Sequence, residues 1–292
     1  MKEKDVIRRF MFEQADVRGA FVHLDATWRA VEDRKQYPEV VRRQLGEFLT
    51  AGALLASTLK FDGSMIMQIQ GDGPISLMVV EATSERTLRG IAKWEGEFEN
   101  NGLKSLYGNG RLVITIDNGR STERYQGIVE LEGESLSDAL QNYLIRSEQL
   151  DTQIWLANDG VQATGMLLQK MPQDKGIDID FWNRIVHLAS TIHDEELKKL
   201  SAEEILHRLF NEDDLRLFDA EPVCFRCSCT NERVANMLRS LGQAEVDSII
   251  EEQGSVEIDC EYCGQHYSYD KVDAAELFVT DLPGGVSTST RH

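Results

Sequence analysis

All five cysteines of this 292-residue chain lie in its last quarter, in two short segments. Cys224, Cys227 and Cys229 form the first segment, and Cys260 and Cys263 form the second. The N-terminus has no apolar run long enough for a signal peptide, which predicts a cytoplasmic protein whose thiols are kept reduced. Clustered cysteines in such a protein indicate a metal or redox site rather than a disulfide framework.

The paired spacing favours a zinc ion held by four thiolates. Zinc takes four soft ligands in a tetrahedron, and in a small module its binding free energy, about 10–16 kcal/mol, is mostly folding free energy. Cys260-x-x-Cys263 is followed by a glycine, which permits the left-handed turn such a half-site needs. For the other half, spacing alone slightly favours Cys224 with Cys227 over the tighter Cys227-x-Cys229, and it leaves both open.

Metal binding and thiol reactivity are compatible in such a site. A metal-bound thiol is deprotonated, and the thiolate is the form that oxidants attack. Conversion of two ligands into a disulfide would remove both from the ion and cost the module most of its folding energy at once. Spacing does not distinguish this switch from a static structural site. His266 lies close to the second pair, and we interpret it as a solvated hairpin residue rather than a ligand.

The elements that must position the thiols can be predicted from the surrounding residues. Val256–Cys260 and His266–Tyr269 are expected to form a hairpin whose turn carries the second cysteine pair. Between the two pairs, Thr230 is expected to cap a helix, and residues 245–251 a second short helix. A module of this size buries too little apolar surface to fold without help, which strengthens the case for a metal.

The first 176 residues predict an α+β domain. After Pro38, apolar residues recur at helical spacing, and Ala51–Ser57 is small and apolar all round, as in a helix inside a core. Short strands joined by tight turns then predict an antiparallel sheet packed with helices. The predicted strands are residues 65–70, 75–80, 111–116, 124–131, 153–157 and 165–169, with a helix at 135–147.

Residues 177–223 predict an acidic helical linker. Asp180–Asp219 has the pattern of interrupted helix with no strand, and Ser201–Glu204 has the pattern of a capping box. Because isolated helices this short are marginal in water, the segment must pack on a neighbour, which makes it a conditional element. A plain interdomain helix is the alternative. The apolar stripe of the linker consists of Leu197, Leu200, Ile205, Leu206, Leu209 and Phe210.

The charge distribution and the motifs disfavour several classes of function. The net charge is −19, and residues 178–292 carry 10 basic against 24 acidic residues, which disfavours binding to nucleic acid. No segment approaches the ~20 apolar residues of a membrane span. The sequence has no phosphate-binding loop of the Gly-x-x-x-x-Gly-Lys-Ser/Thr type, no His-Glu-x-x-His and no Gly-x-Ser-x-Gly, so we expect no enzyme.

Several motifs resemble the bacterial redox-regulated heat-shock chaperone of 33 kDa, the 33 kDa chaperonin family. The most specific is Cys227-x-Cys229 followed by Cys260-x-x-Cys263, with Glu245–Ile249 between them. The resemblance covers nearly the whole chain. Its other motifs are Tyr37-Pro38, Thr58–Gly63, Gln68–Pro74, Gly108–Gly110, Glu123–Gly127, Arg146–Leu150 and Gly165–Gln169.

The resemblance implies a ligand set that differs from the spacing preference. It implies that Cys227, Cys229, Cys260 and Cys263 bind one zinc ion per chain in the reduced form. It also implies that oxidation joins Cys227 to Cys229 and Cys260 to Cys263. Cys224 is then additional, and it is a departure from the family pattern.

The resemblance further implies an ATP-independent holdase chaperone, inactive when reduced and active when oxidised. Zinc loss would unfold the module at residues 224–282 and release the linker, whose stripe would bind unfolding client proteins. The family's active form is associated with dimerisation, so we expect a homodimer when oxidised and a monomer when reduced. Residues 283–292 are expected to form a disordered tail.

The rival interpretation is a zinc-ribbon protein with a static structural site that binds nucleic acid or protein. Residues 224–292 carry 5 basic against 12 acidic residues, which counts against the nucleic-acid form of that alternative. The expected partners are therefore unfolding proteins, without nucleic acid or membrane.

Overall fold

The computed structural model describes residues 4–98, 102–119, 124–171 and 179–279. The chain divides into two compact units, Met1–Arg226 and Cys227–His292. The predicted linker boundary at residues 176 and 177 and the predicted tail, 283–292, lie outside the described residues. None of the helices in the described ranges is long and apolar enough to cross a membrane.

The first unit combines strands and helices along its whole length. Its helices are α1 (Ala26–Glu32), α2 (Glu39–Thr58), α3 (Leu103–Tyr107), α4 (Leu136–Ser147), α5 (Ile179–Ala189), α6 (Asp194–Lys199) and α7 (Ala202–Phe210). Its strands are β1 (Val6–Phe12), β2 (Val17–Leu24), β3 (Ser64–Gln70), β4 (Ile75–Thr83), β5 (Thr87–Trp94), β6 (Arg111–Asp117), β7 (Arg124–Glu130), β8 (Thr152–Asn158), β9 (Ala163–Lys170), β10 (Leu215–Leu217), β11 (Glu221–Pro222) and β12 (Cys224–Phe225).

These strands form two six-stranded sheets, which confirms the predicted α+β class. The order of the first sheet is β10-β1-β2-β9-β8, with β11 also paired to β1, and the order of the second is β12-β5-β4-β3-β6-β7. Neighbouring strands are antiparallel except for β12, which runs parallel to β5.

The α2 helix supplies the centre of the larger core. It begins directly after Pro38 and packs against strands of both sheets. Small residues allow this close approach, because a Cβ on Gly52 would lie 2.7 Å from Val80 Cγ1 on β4. Ala51, Ala53 and Leu54 are at most 1% exposed, as the continuous run of small apolar residues in the second half of this helix predicts.

One prediction about the linker is wrong. Asp180–Asp219 was expected to contain no strand, but Leu215–Leu217 forms β10 and pairs with Phe10–Phe12 of β1. The pairing gives the edge of β1 a hydrogen-bonded partner. A segment of three residues is too short to show a strand pattern of its own in the sequence. The predicted capping box is confirmed: Ser201 Oγ accepts from the Glu204 amide at 3.2 Å, and Glu204 accepts from the Ser201 amide at 2.7 Å.

The second unit is small and built around its own apolar cluster. Val246, Leu238 and Ala274 are its most buried members, and Cys229 and Cys260 pack against them. The predicted hairpin with the cysteine-bearing turn is confirmed. The elements are α8 (Asn231–Leu241), α9 (Gln243–Gln253), β13 (Val256–Asp259), β14 (His266–Tyr269) and α10 (Lys271–Val279).

Candidate metal centre

Two rigid local structures present the four thiols of the second unit. Cys227 and Cys229 stand immediately before α8, whose start is fixed by Thr230, since the Thr230 hydroxyl accepts from the Arg233 amide at 3.2 Å. Cys260 and Cys263 lie in the turn between β13 and β14. That turn is closed by a 2.7 Å bond from the Gly264 amide to the Cys260 carbonyl, and Gly264 has a φ of +68°.

The sulfur positions match a four-ligand metal site. The Sγ atoms of Cys227 and Cys260 are 3.6 Å apart, and those of Cys229 and Cys263 are 3.2 Å apart. All four Sγ atoms lie within 4.8 Å of one another. Sulfurs bound at about 2.3 Å to one tetrahedral ion lie about 3.8 Å from each other. The donor set therefore fits a thiophilic metal ion.

The protonation equilibria of the cluster also favour a cation. Burial opposes ionisation of Cys229, but hydrogen bonds from the Tyr267 hydroxyl and the neighbouring thiols lower its pKa to about 7. Burial and hydrogen bonds with the other three thiols raise the pKa of Cys263 to about 12. Four sulfurs this close do not all ionise on their own, because the negative charges repel. A divalent cation between them removes that repulsion.

Cys224 lies apart from this cluster in the fold. It belongs to β12, which pairs with Thr87 and Leu88 of β5 in the first unit, and its side chain is exposed. Among the described residues, the clustered group contains Cys229 and not Cys224 beside Cys227. His266 is engaged elsewhere, since its ring nitrogens lie 2.7 Å from Glu257 and 2.8 Å from Asp259.

The apolar stripe of the linker is buried inside the first unit. Ile205 and Phe210 are each 1% exposed, Leu197 is 1%, Leu206 is 5% and Leu209 is 8%. Leu200 is partly buried at the margin of the same cluster. The helices α5, α6 and α7 therefore cover an apolar face of the protein with their own apolar side chains.

The face under the linker is aromatic, and the sequence analysis did not identify it. Phe10 and Phe12 of β1 and Phe21 of β2 are buried in this cluster. The Phe12 ring meets the rings of Phe181 at 5.4 Å and Phe210 at 5.2 Å, both edge to face. Phe10 and Phe12 alternate in β1, but Arg8 and Arg9 directly before them interrupt the apolar alternation, so the sequence carries no clear signal for this face.

A glycine shapes this aromatic face. Phe10 is paired across the strands with Gly19, and a Cβ on Gly19 would lie 2.1 Å from Phe10 Cζ. The ring can therefore lie over the backbone of β2 only because that position has no side chain. The apolar surface formed in this way is the one that the linker helices cover.

The sequence is similar to members of one protein family. The sequence model of the family described as "Hsp33 protein" matches residues 5–270. The chain is 48% identical over 292 residues to the "33 kDa chaperonin" of Nitrosococcus oceani, with 100% of both chains covered. It is 47% identical over 284 residues to the "33 kDa chaperonin" of Methylobacillus flagellatus, with 97% of each covered.

A solved structure is similar to the fold. It is the crystal structure of a 33 kDa chaperonin, a heat shock protein 33 homolog, from Thermotoga maritima. The TM-score is 0.80 at 21% sequence identity, and the match covers 94% of this chain and 97% of that one. At this level of identity, the likeness supports the architecture described above and not the chemistry of the site.

Proposed function

The chain belongs to the Hsp33 family, and from this premise we propose that it is a redox-regulated holdase chaperone that works without ATP. The observation that carries the proposal is the burial of the linker stripe on the aromatic face of β1 and β2. A holdase needs an apolar surface that it can hide and expose, and the linker stripe with the face beneath it could provide one.

In the reduced form, one zinc ion is held by Cys227, Cys229, Cys260 and Cys263. The ion supplies folding free energy to the second unit and keeps the four thiols deprotonated. This assignment is supported by the positions of the four Sγ atoms, which all lie within 4.8 Å of one another. The surrounding hairpin and α8 then need only a small apolar core of their own.

Oxidation removes the ligands in pairs. With hydrogen peroxide, a first thiolate takes one oxygen and becomes a sulfenic acid as hydroxide leaves. A second thiolate attacks that sulfur, forms the disulfide and releases the oxygen as water after protonation. The proposed pairs are Cys227 with Cys229 and Cys260 with Cys263. In the reduced arrangement the shortest contacts join the two segments, so this pairing rests on the family resemblance.

Loss of the ligands unfolds the second unit and then frees the linker. The linker helices are short, and their attachment depends on the apolar contacts of Ile205, Leu209 and Phe210. Once they detach, their stripe and the face of Phe10, Phe12 and Phe21 bind unfolding client proteins. The acidic residues of the same segment keep the complex in solution.

The remaining features of the proposal concern partners and location. We expect a monomer when reduced and a homodimer when oxidised, acting in the cytoplasm. The excess of acidic residues disfavours nucleic acid as a partner. The function requires neither a membrane nor nucleotide hydrolysis.

Graded oxidation tests the proposal. Hydrogen peroxide with mild heat should release one zinc ion per chain, measured with a chromogenic chelator, and in parallel should suppress light scattering by a heat-denaturing client. Reductant should restore the thiols. Zinc release without any change in client scattering would refute the holdase assignment and favour a static structural site.

Replacement of the exposed extra cysteine gives a second expectation. Cys224→Ser should keep one zinc ion per chain and respond to peroxide as the parent protein does, because Cys224 is held in β12 by its pairing with β5. The measurement is metal content by atomic absorption before and after oxidation. Half occupancy in this variant would mean that Cys224 is a ligand.

A further inference from the structure

A cleft in the first unit has no role in the chaperone proposal. It has a volume of 470 Å³ and lies between β1, β2, the end of α2, the β4–β5 turn and β11. Residues 58–61, which begin one of the motifs noted in the sequence, line it. In the proposed switch this motif neither binds metal nor covers the client surface.

Positive charge converges on this cleft in a chain whose net charge is −19. Its lining includes Arg9, Arg18, Lys60 and Arg86, against the single carboxylate of Glu221. Glu221 is shared, since it pairs with Arg9 and lies 3.0 Å from Arg86. Four cations and one anion leave the cleft with a formal charge of about +3.

Arg18 is held in the cleft by a neutral partner. Its guanidinium is held by the neutral amide oxygen of Gln169, 3.0 Å from Nε, and within the described ranges it forms no ion pair. Burial and the nearby charge of Arg9 lower the pKa of Arg18. Arg9 and Arg18 are diagonal neighbours on one face of the sheet, so their charges repel without a shared counterion.

The end of α2 also lines the cleft, and the carbonyls of its last turn oppose negative charge, which the four cationic side chains must outweigh. On the other side, Arg86 is held with a φ of +61°, an uncommon conformation for a residue with a side chain.

Apolar side chains in the lining provide a wall for the uncharged part of a ligand, beside the hydroxyl residues Ser57, Thr58, Thr83 and Ser84. The apolar residues are Ile7, Ala53, Ala56, Leu59, Phe61, Ala82, Leu88 and Val223. A cleft of this volume is within the range of small-molecule sites, about 300–1,000 Å³. Planar guanidinium groups match the oxygens of phosphate with paired hydrogen bonds, and several together suit a ligand with more than one such charge.

We propose that this cleft binds a small molecule carrying two or more phosphate groups, with Arg9, Arg18, Lys60 and Arg86 as the cationic contacts and Glu221 as a built-in competitor. A diphosphate carries enough charge to match the excess in the cleft. Its source is either inorganic diphosphate or a nucleoside diphosphate, whose base would rest on the apolar wall. Neither ligand needs to be hydrolysed.

Isothermal titration of the reduced full-length protein at low salt tests the site. The probes are pyrophosphate, adenosine diphosphate and orthophosphate, all without divalent metal. Pyrophosphate should bind about ten-fold or more tightly than orthophosphate, because it meets additional charged donors. Equal affinity for adenosine diphosphate would identify an inorganic ligand, and higher affinity would identify the nucleotide.

Substitutions of single charged residues test whether each one favours or opposes the binding of pyrophosphate. Arg18→Gln should weaken the binding of pyrophosphate about ten-fold. Arg146→Gln removes the same charge from an exposed arginine paired with Glu132, and it should leave the affinity for pyrophosphate unchanged. Glu221→Gln should tighten binding several-fold, because the competitor is neutralised. Lys60→Gln is an exposed companion variant that does not disturb the sheet, and it should weaken binding in the same direction.

Three results would overturn the proposal. They are no measurable heat with either diphosphate, equal loss in Lys60→Gln and Arg146→Gln, and weaker binding in Glu221→Gln. Because these measurements use reduced protein and no client, they can fail while the holdase activity is present, and the reverse also holds.

Discussion

Replacing Cys260 by Ser is expected to leave residues 227–279 unfolded while the first unit keeps its structure. The apparent binding free energy of a structural zinc ion, about 10–16 kcal/mol, equals or exceeds the whole stability of an ordinary domain, about 5–15 kcal/mol. The second unit has only a small apolar core, around Leu238, Val246 and Ala274, to offset the conformational entropy that the chain loses on folding. Loss of one of the four ligands should therefore be enough to unfold the second unit.

Hydrogen exchange and metal analysis measure this result directly. Amides of β13, β14 and α8 should lose their protection, and the variant should contain less than one zinc ion per chain, while the amides of α2 remain protected. Cys224→Ser is the matched control, because it makes the same chemical change outside the cluster. Persistent protection of the hairpin in a zinc-free Cys260→Ser protein would show that the ion does not hold this unit together.

The sequence predicted elements whose pattern is local. The α2 helix, with its apolar second half, and the hairpin of β13 and β14 both follow from the spacing of neighbouring residues. The strands β1, β2 and β5 were missed. In β1, Arg8 and Arg9 interrupt the apolar alternation, and β2 is a central strand that is apolar on both faces, so neither shows a simple period of two.

Non-local contacts explain the remaining differences. β10 is a strand only because β1 offers it an edge, and it is about 200 residues away along the chain. Spacing located the cysteine cluster but slightly favoured Cys224 with Cys227. Cys224 is instead drawn into β12 by its pairing with Thr87, a contact that no local pattern in the sequence displays. The aromatic face under the linker was hidden for the same reason.

A linker carrying the double substitution Ile205→Glu and Leu209→Glu is expected to give holdase activity without oxidant. Both side chains are buried against the aromatic face, at 1% and 8% exposure. Truncating such a residue alone costs about 2–5 kcal/mol, and burying an unpaired carboxylate adds to that cost. The ion pairs at the margin, Arg8 with Glu203 and Arg184 with Asp213, each have one exposed partner, Glu203 at 54% and Arg184 at 43%, so solvent screening keeps their contribution below that cost.

The measurements separate linker detachment from loss of zinc. The variant should bind an apolar fluorescent dye and suppress client scattering while it retains one zinc ion per chain, because the cluster of the second unit is unchanged. His207→Glu adds charge to an exposed position of the same helix and should behave like the parent protein. A double variant that exposes dye-binding surface but stays inactive until oxidised would mean that the linker covers something other than the client surface. Activity would then have to arise from the unfolded second unit itself.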